Sequence, residues 1–209
     1  EMADGVDPLQ WAAYADFFDQ ASGVPRSRYG VTLPPFEEGE PAEVNRFYSP
    51  NAERLGRLNV RYVAAEYPVD AEGLVLDRMI GTTWIYENPL ACPRAWVESA
   101  ETPDCGAGGK AVRWVRREPN QIWLEAQGPG LLILSEMNYP GWQVYVDGAA
   151  AEGKTAEGVF RSVALTNGTH TVQWVYRPTW VYLGGAISAL SVAGAVLGLF
   201  FGRKRHENG

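Results

Sequence analysis

The chain has 209 residues, 46% hydrophobic and 21% charged, with a net charge of −7 and a sequence pI near 4.9. That length and apolar content suit one sizeable packed domain and exclude global disorder. The acidic balance excludes nucleic acid as a partner, because phosphate binding needs a basic surface and no Lys/Arg run lies outside the extreme C-terminus.

The first residue is Glu, and no signal peptide precedes the folded-looking region. The chain is therefore expected to be processed, or to be the C-terminal part of a longer protein. The stretch "DGVDPLQWAAYADFFDQASG" reads as a helix: Asp7 can cap it, Pro8 suits its first turn, and Leu9, Ala13 and Phe17 share a face. It should end near Gly23. Residues 29–47 are rich in Pro and Glu and read as loop, with Glu37, Glu38 and Glu40 as a solvated acidic cluster rather than paired catalytic carboxylates. Residues 51–65 start as a short helix and become a strand near Leu58.

Strand signals then recur between turns, at 73–79, 83–89, 94–100, 111–118, 121–127, 131–137, 142–148, 159–166 and 169–177. Short strands at this spacing predict a mainly β fold, an antiparallel β-sandwich of immunoglobulin or jelly-roll type. Alternation assigns faces. Ile122 and Leu124 point to the core with Trp123 opposite; Trp142, Val144 and Val146 point one way, and Gln143, Tyr145 and Asp147 the other. "LLILSEM" is apolar on both faces and reads as a central strand. Asn167-Gly168 predicts a hairpin turn, because a type I′ turn needs positive φ at both central residues. Residues 101–110 and 149–158 read as loops.

Residues 181–202 contain no charge and no proline. At about 1.5 Å per residue they reach roughly 33 Å, enough to cross a bilayer core. Trp180 and Tyr182 suit one interface, and Arg203, Lys204 and Arg205 the other. The positive-inside rule then places the tail in the cytoplasm and the rest outside. Gly194, Gly198 and Gly202 form a small-residue stripe for helix packing.

The sequence offers little catalytic chemistry. It has two histidines, His170 at a strand start and His206 in the tail, and no set with metal-ligand spacing, so neither metal nor cofactor is expected. No Ser or Cys lies in a nucleophile elbow and no glycine loop cradles phosphate. Cys92 and Cys105 flank a loop on the outer side; a disulfide is permitted there, and two free thiols are the alternative. Aromatic side chains on polar faces suit sugar stacking, which makes Trp123 and Tyr145 the best of the aromatic candidates, with packing as the plainer reading.

The string "LLILSEMNYPGWQVYVDG", then "VFRSVALTNGTHTVQWVYRP", then one span with a basic end, resembles the C-terminal region of bacterial YfhO-type membrane proteins. Segments 4–14, 58–65, 86–97 and 118–126 agree in order and spacing. The most specific part is Tyr139-Pro140-Gly141-Trp142 with Val146-Asp147-Gly148 and Phe160-Arg161. The resemblance implies a large multi-spanning protein similar to GT-C glycosyltransferases, which take sugar from a polyprenyl-phosphate carrier on the outer side of the membrane. The family's catalytic acidic residue lies in an early outer loop that no position here matches, so no catalytic residue is carried over. Asn138 and Gln143 depart from the family's frequent aromatic or basic residues, and the small, polar 149–158 stretch puts a groove there in doubt.

The expected organisation is a helix and connecting segment (1–57), an extracytoplasmic sandwich (58–178), a span (179–202) and a cytoplasmic tail (203–209). The expected partners are the membrane, an upstream bundle of the same protein, and a polyprenyl-linked sugar or envelope glycan. Trp123, Tyr139, Tyr145, Asp147 and Arg161 are the candidate glycan contacts, with Arg161 alternatively pairing with Asp147 across strands. The rival readings are a membrane-anchored immunoglobulin-like adhesion module with no enzyme attached, and a domain that only stabilises its own membrane bundle.

Overall fold

The computed structural model describes residues 11–24, 43, 47–99, 105 and 110–206. The expected helix start at Asp7 and Pro8, the Glu37–Glu40 cluster and most of 101–109 lie outside the described residues. The fold is mainly β and antiparallel, with few helices and one C-terminal apolar helix.

Helix α1 (Ala12–Ser22) buries Ala15, Phe17, Phe18 and Ala21 and stops at Gly23, whose φ of 71° makes the left-handed cap. Helix α2 (Ala52–Arg57) is capped by Asn51, whose side chain accepts the Arg54 N–H at 2.9 Å. Strands β1 (Tyr62–Ala65), β2 (Val75–Ile80) and β3 (Thr83–Glu87) form a separate three-stranded sheet in the order β1-β3-β2. The expectation placed these strands inside the sandwich. They stay apart because β2 is exposed at every position and offers the main core no buried face.

The main sheet holds β4 (Ala95–Glu98), β5 (Lys110–Glu118), β6 (Gln121–Met137), β7 (Trp142–Val146), β8 (Ala149–Ala151), β9 (Gly153–Ala156) and β10 (Phe160–Tyr176). Its frame is two 17-residue strands, β6 and β10, paired antiparallel from end to end. Each crosses between two half-sheets. The first half is β5, the start of β6, the end of β10, β7 and β8; the second is β4, the end of β6, the start of β10 and β9. Leu124, Leu132 and Val172 are fully buried in one cluster fed only by these strands, so the two halves cover each other's inner faces as a sandwich.

This geometry corrects three expectations. Residues 121–127 and 131–137 are one strand, and so are 159–166 and 169–177. Asn167-Gly168 is no hairpin turn but a bulge: the register shifts between Leu165 and Gly168, with Gly168 at φ 114°. The same positive φ that serves a tight turn here lets β10 bend from one half to the other. Opposite it, a Cβ on Gly128 would strike the Thr166 carbonyl oxygen. Residues 149–158 are also not a loop, because Ala150 pairs with Tyr145 and Lys154 with Ser162.

Within the second half, β4, the end of β6 and the start of β10 are buried on both faces, which explains why residues 131–134 are all apolar. Leu132 and Leu134 face the sandwich interior; Ile133 faces a second cluster with Trp96, Phe160, Phe17 and Leu55 beneath α1 and α2. Cys92 and Cys105 are disulfide-bonded within that cluster, with Cα atoms 5.3 Å apart.

Strand β10 leads through Arg177 and Pro178 straight into helix α3 (Thr179–His206), which runs past the expected end at 202. Its Thr179–Val196 window has a mean hydropathy of 1.5 and no buried residue, and is long and apolar enough to cross a membrane.

Candidate functional site

The corner Asn138–Gly141 links the two halves at the end of the sandwich from which α3 departs. It is tied to that exit: Arg177 donates its backbone N–H to the Gly141 carbonyl at 2.7 Å, and the Trp142 and Tyr176 rings lie 5.2 Å apart. Gly141, at φ 111°, is required twice, since a Cβ there would also press on the Tyr176 ring and on Pro178 at about 3 Å.

Beside the corner opens a groove of about 630 Å³. One wall is Tyr139 to Tyr145; the other is Ala150, Ala151 and Gly153, with Trp174 behind. The stretch that put a groove in doubt supplies one of its walls through small residues, and a Cβ added to Gly153 would sit in ordinary contact with Val144 and Trp174, at 3.4–3.5 Å. Tyr139 is 37% exposed and its ring lies 5.3 Å from that of Trp11. Tyr145 donates its hydroxyl to Gln143 Oε1 at 3.2 Å. Trp174 is buried, and its indole N–H has no acceptor among the described residues.

Behind the groove sits Arg161, 2% exposed. Position 161 shares the inward face of β10 with Val163 and Leu165, so the guanidinium is held between the half-sheets, 3.9 Å from the Trp142 ring centroid and 5.7 Å from that of Trp174. Glu136 is its ion-pair partner. Arg94 Nε and Arg117 Nη2 also reach Glu136, at 3.2 and 3.3 Å. Burial pushes the Arg161 pKa down to about 10 against the pull of Glu136, so it keeps its charge at neutral pH. Its Nε and Nη1 find no acceptor among the described residues. Arg161 thus supports Trp142 from behind and does not reach the groove.

The expected Arg161–Asp147 pair does not form, because the two side chains sit on opposite faces. Asp147 instead pairs with His170, Oδ2 to Nδ1 at 2.7 Å, and its Oδ1 accepts the Thr171 N–H at 2.8 Å. The hydrogen bond to Asp147 raises the His170 pKa, and the same bond lowers that of Asp147. This pair pins the β7–β8 turn to the bulge of β10.

Of the five candidate contacts, Tyr139 and Tyr145 line the groove. Trp123 lies two strands away from Tyr145 on the outer sheet face, with the Arg116 guanidinium 5.1 Å from its ring. Asp147 and Arg161 are elsewhere. Sequence reasoning missed Trp174, whose alternation marks it as core, and the Glu136 cluster, whose members are scattered over β5, β6, β10 and the residue before β4. Among the described residues no group of three or more His, Cys, Asp or Glu side chains converges on a metal site.

Residues 121–188 match the family model described as bacterial membrane protein YfhO. The matched segment runs from the start of β6 into α3 and contains every residue lining the groove. That segment, about a third of the chain, is similar to the YfhO membrane protein family. No curated protein and no solved structure matches the chain at a significant level.

Proposed function

We propose that this chain, with its YfhO-family region, is the non-catalytic outer C-terminal part of a multi-spanning GT-C-like glycosyltransferase. In this reading 58–178 lie outside the cytoplasmic membrane, 179–202 span it with Gly194, Gly198 and Gly202 packed against upstream spans, and 203–209 lie in the cytoplasm. The basic tail supports that orientation. A disulfide between Cys92 and Cys105 fits an oxidising compartment. The domain holds a saccharide, borne by a polyprenyl carrier or an envelope polymer, next to the membrane-embedded catalytic part.

The observation that carries this reading is the groove's position. Its Tyr139–Trp142 wall is bonded to the last residues before the apolar helix, so it opens where a lipid-borne sugar would emerge. Its chemistry suits a sugar: aromatic rings for apolar C–H faces, and Asn138 and Gln143 for hydroxyls.

The test is sugar transfer from a membrane-borne carrier, in vesicles bearing the full-length protein. Tyr139→Ala changes a surface ring and should lower transfer at least about tenfold, the equivalent of about 1.4 kcal/mol, at equal protein level. Unchanged transfer would leave the domain a structural brace of its bundle. If an upstream sequence of sandwich domains replaced the expected spans, the adhesion module would stand instead.

A further inference from the structure

The groove does not end at Tyr145. Strand pairing sets Tyr145 (β7) beside Gln173 (β10), Gln173 beside Trp123 (β6), and Trp123 beside Arg116 (β5). All four lie on the outer face of the first half-sheet, opposite the buried Val144, Val172, Trp174, Ile122 and Leu124. At about 4.8 Å per strand, the Tyr145 and Trp123 rings are about 10 Å apart with an amide between them. On the groove side the next residue in the row is Ala150, small and exposed, so nothing separates the row from the cavity.

The charge on this face is cancelled locally. Arg113 pairs with Glu125, Nε to Oε2 at 3.0 Å; Arg116 pairs with Glu118; Asp147 pairs with His170. Between them the row presents only rings and amides. Such a surface is complementary to an uncharged polyol and offers no net attraction to a polyanion. The two-strand ring spacing also suits alternate sugar units of a flat, extended chain, because each ring needs one pyranose face and the amide between them can serve the intervening unit.

We propose that the groove's ligand is an extended, uncharged, flat-ribbon glycan chain that continues from the groove over Tyr145 and Gln173 onto Trp123. This rests on the saccharide reading of the groove and adds the length and shape of the ligand. Arg116, whose side chain is 62% exposed, leaves the Trp123 ring as the chain arrives and donates to its hydroxyls.

The experiment uses the full-length protein in lipid nanodiscs and two uncharged oligosaccharide series of two to six units: β-1,4-linked N-acetylglucosamine, which is a flat ribbon, and α-1,4-linked glucose, which curls. Calorimetric affinity for the flat series should climb about tenfold between two and four units and then level off, while the curled series gains nothing. Trp123→Leu, which keeps apolar bulk without a flat ring, should lose that climb; Trp123→Phe, which keeps a ring, should retain most of it. Tyr139→Ala should weaken every length. Equal affinity at all lengths, still reduced by Tyr139→Ala, overturns the extended chain and leaves the groove reading standing. A climb that survives Trp123→Leu overturns it as well. Failure of both series to bind at any length removes the groove reading together with the extension.

Discussion

Arg161 shows how one charged residue can organise a site without touching a ligand. Its guanidinium is buried between Trp142, Trp174 and Glu136; removing Glu136 strands that charge, whereas removing Arg161 leaves Glu136 its bonds to Arg94 and Arg117. Glu136→Gln should cost about 3–5 kcal/mol in chemical denaturation, and Arg161→Met less. Arg161→Lys should not rescue, because an ammonium lacks the planar fork that stacks on an indole while holding a carboxylate. A loss under about 1 kcal/mol for all three would mean that the cluster is not a structural keystone. Little of this was legible in the sequence: Arg161 stood out as a marker, but its partner Glu136 lies 25 positions away, and the Arg117 and Arg94 that share that carboxylate lie 44 and 67 away.

The His170–Asp147 pair makes a second residue-level prediction. His170 has a raised pKa, so the stability it contributes is full below 6.5 and is lost as pH rises through its folded value. Asp147 has a lowered pKa, so its share is present above about 3.8 and is lost as pH falls through its folded value. The melting temperature of the native protein should therefore decline from mildly acidic to alkaline pH, and His170→Gln should flatten that decline. An imidazole resonance absent from His170→Gln that titrates at or below 6.5 would contradict the pairing.

At the scale of elements, the long bent strands decide the architecture. Alternation in the sequence identified the inward residues of β6, β7 and β10, because period two survives whatever the strand pairs with. What it did not show was continuity. Pro129 and Asn167-Gly168 have the composition of turns, yet each lies inside a strand, at the crossing between half-sheets. Local turn chemistry states which φ values are allowed and does not state whether the chain reverses. Gly128→Ala tests the crossing: the added methyl meets the backbone of Thr166, and overpacking of this kind costs about 1–3 kcal/mol. Gly148→Ala has open space but a φ of 83°, and should cost less, about 1 kcal/mol from strain alone. Equal losses would show that close approach at Gly128 is unimportant.

The disulfide belongs to this scale too. It closes a 13-residue separation beneath α1, in the cluster holding Phe17, Trp96 and Phe160. Reduction, or Cys92→Ser with Cys105→Ser, should lower stability by about 3 kcal/mol. Native-state hydrogen exchange should locate the loosening in α1 and β4 and not in β7 or β8. Exchange rising evenly over the whole sandwich would speak against two separate packed layers.

For the whole molecule, the arrangement that matters is the short path from sheet to apolar helix. Two residues separate β10 from α3, and the corner that walls the groove is bonded to them. The apolar helix was legible, since 22 uncharged residues without proline favour one continuous helix, although its C-terminal end lies beyond the expected 202. The groove was only half legible. Tyr145 could be named from alternation and Tyr139 from the marker string, but the groove exists because β8 folds back on β7 and β9 on β10. The claim that a saccharide is held at the membrane surface is tested most directly by placing a photo-reactive phenylalanine at position 139 of the full-length protein in its own membrane. After irradiation, mass spectrometry should find an adduct carrying hexose or hexosamine units, lost when Gln143→Ala and Tyr145→Ala are added. Adducts with protein or phospholipid chains alone would contradict the account.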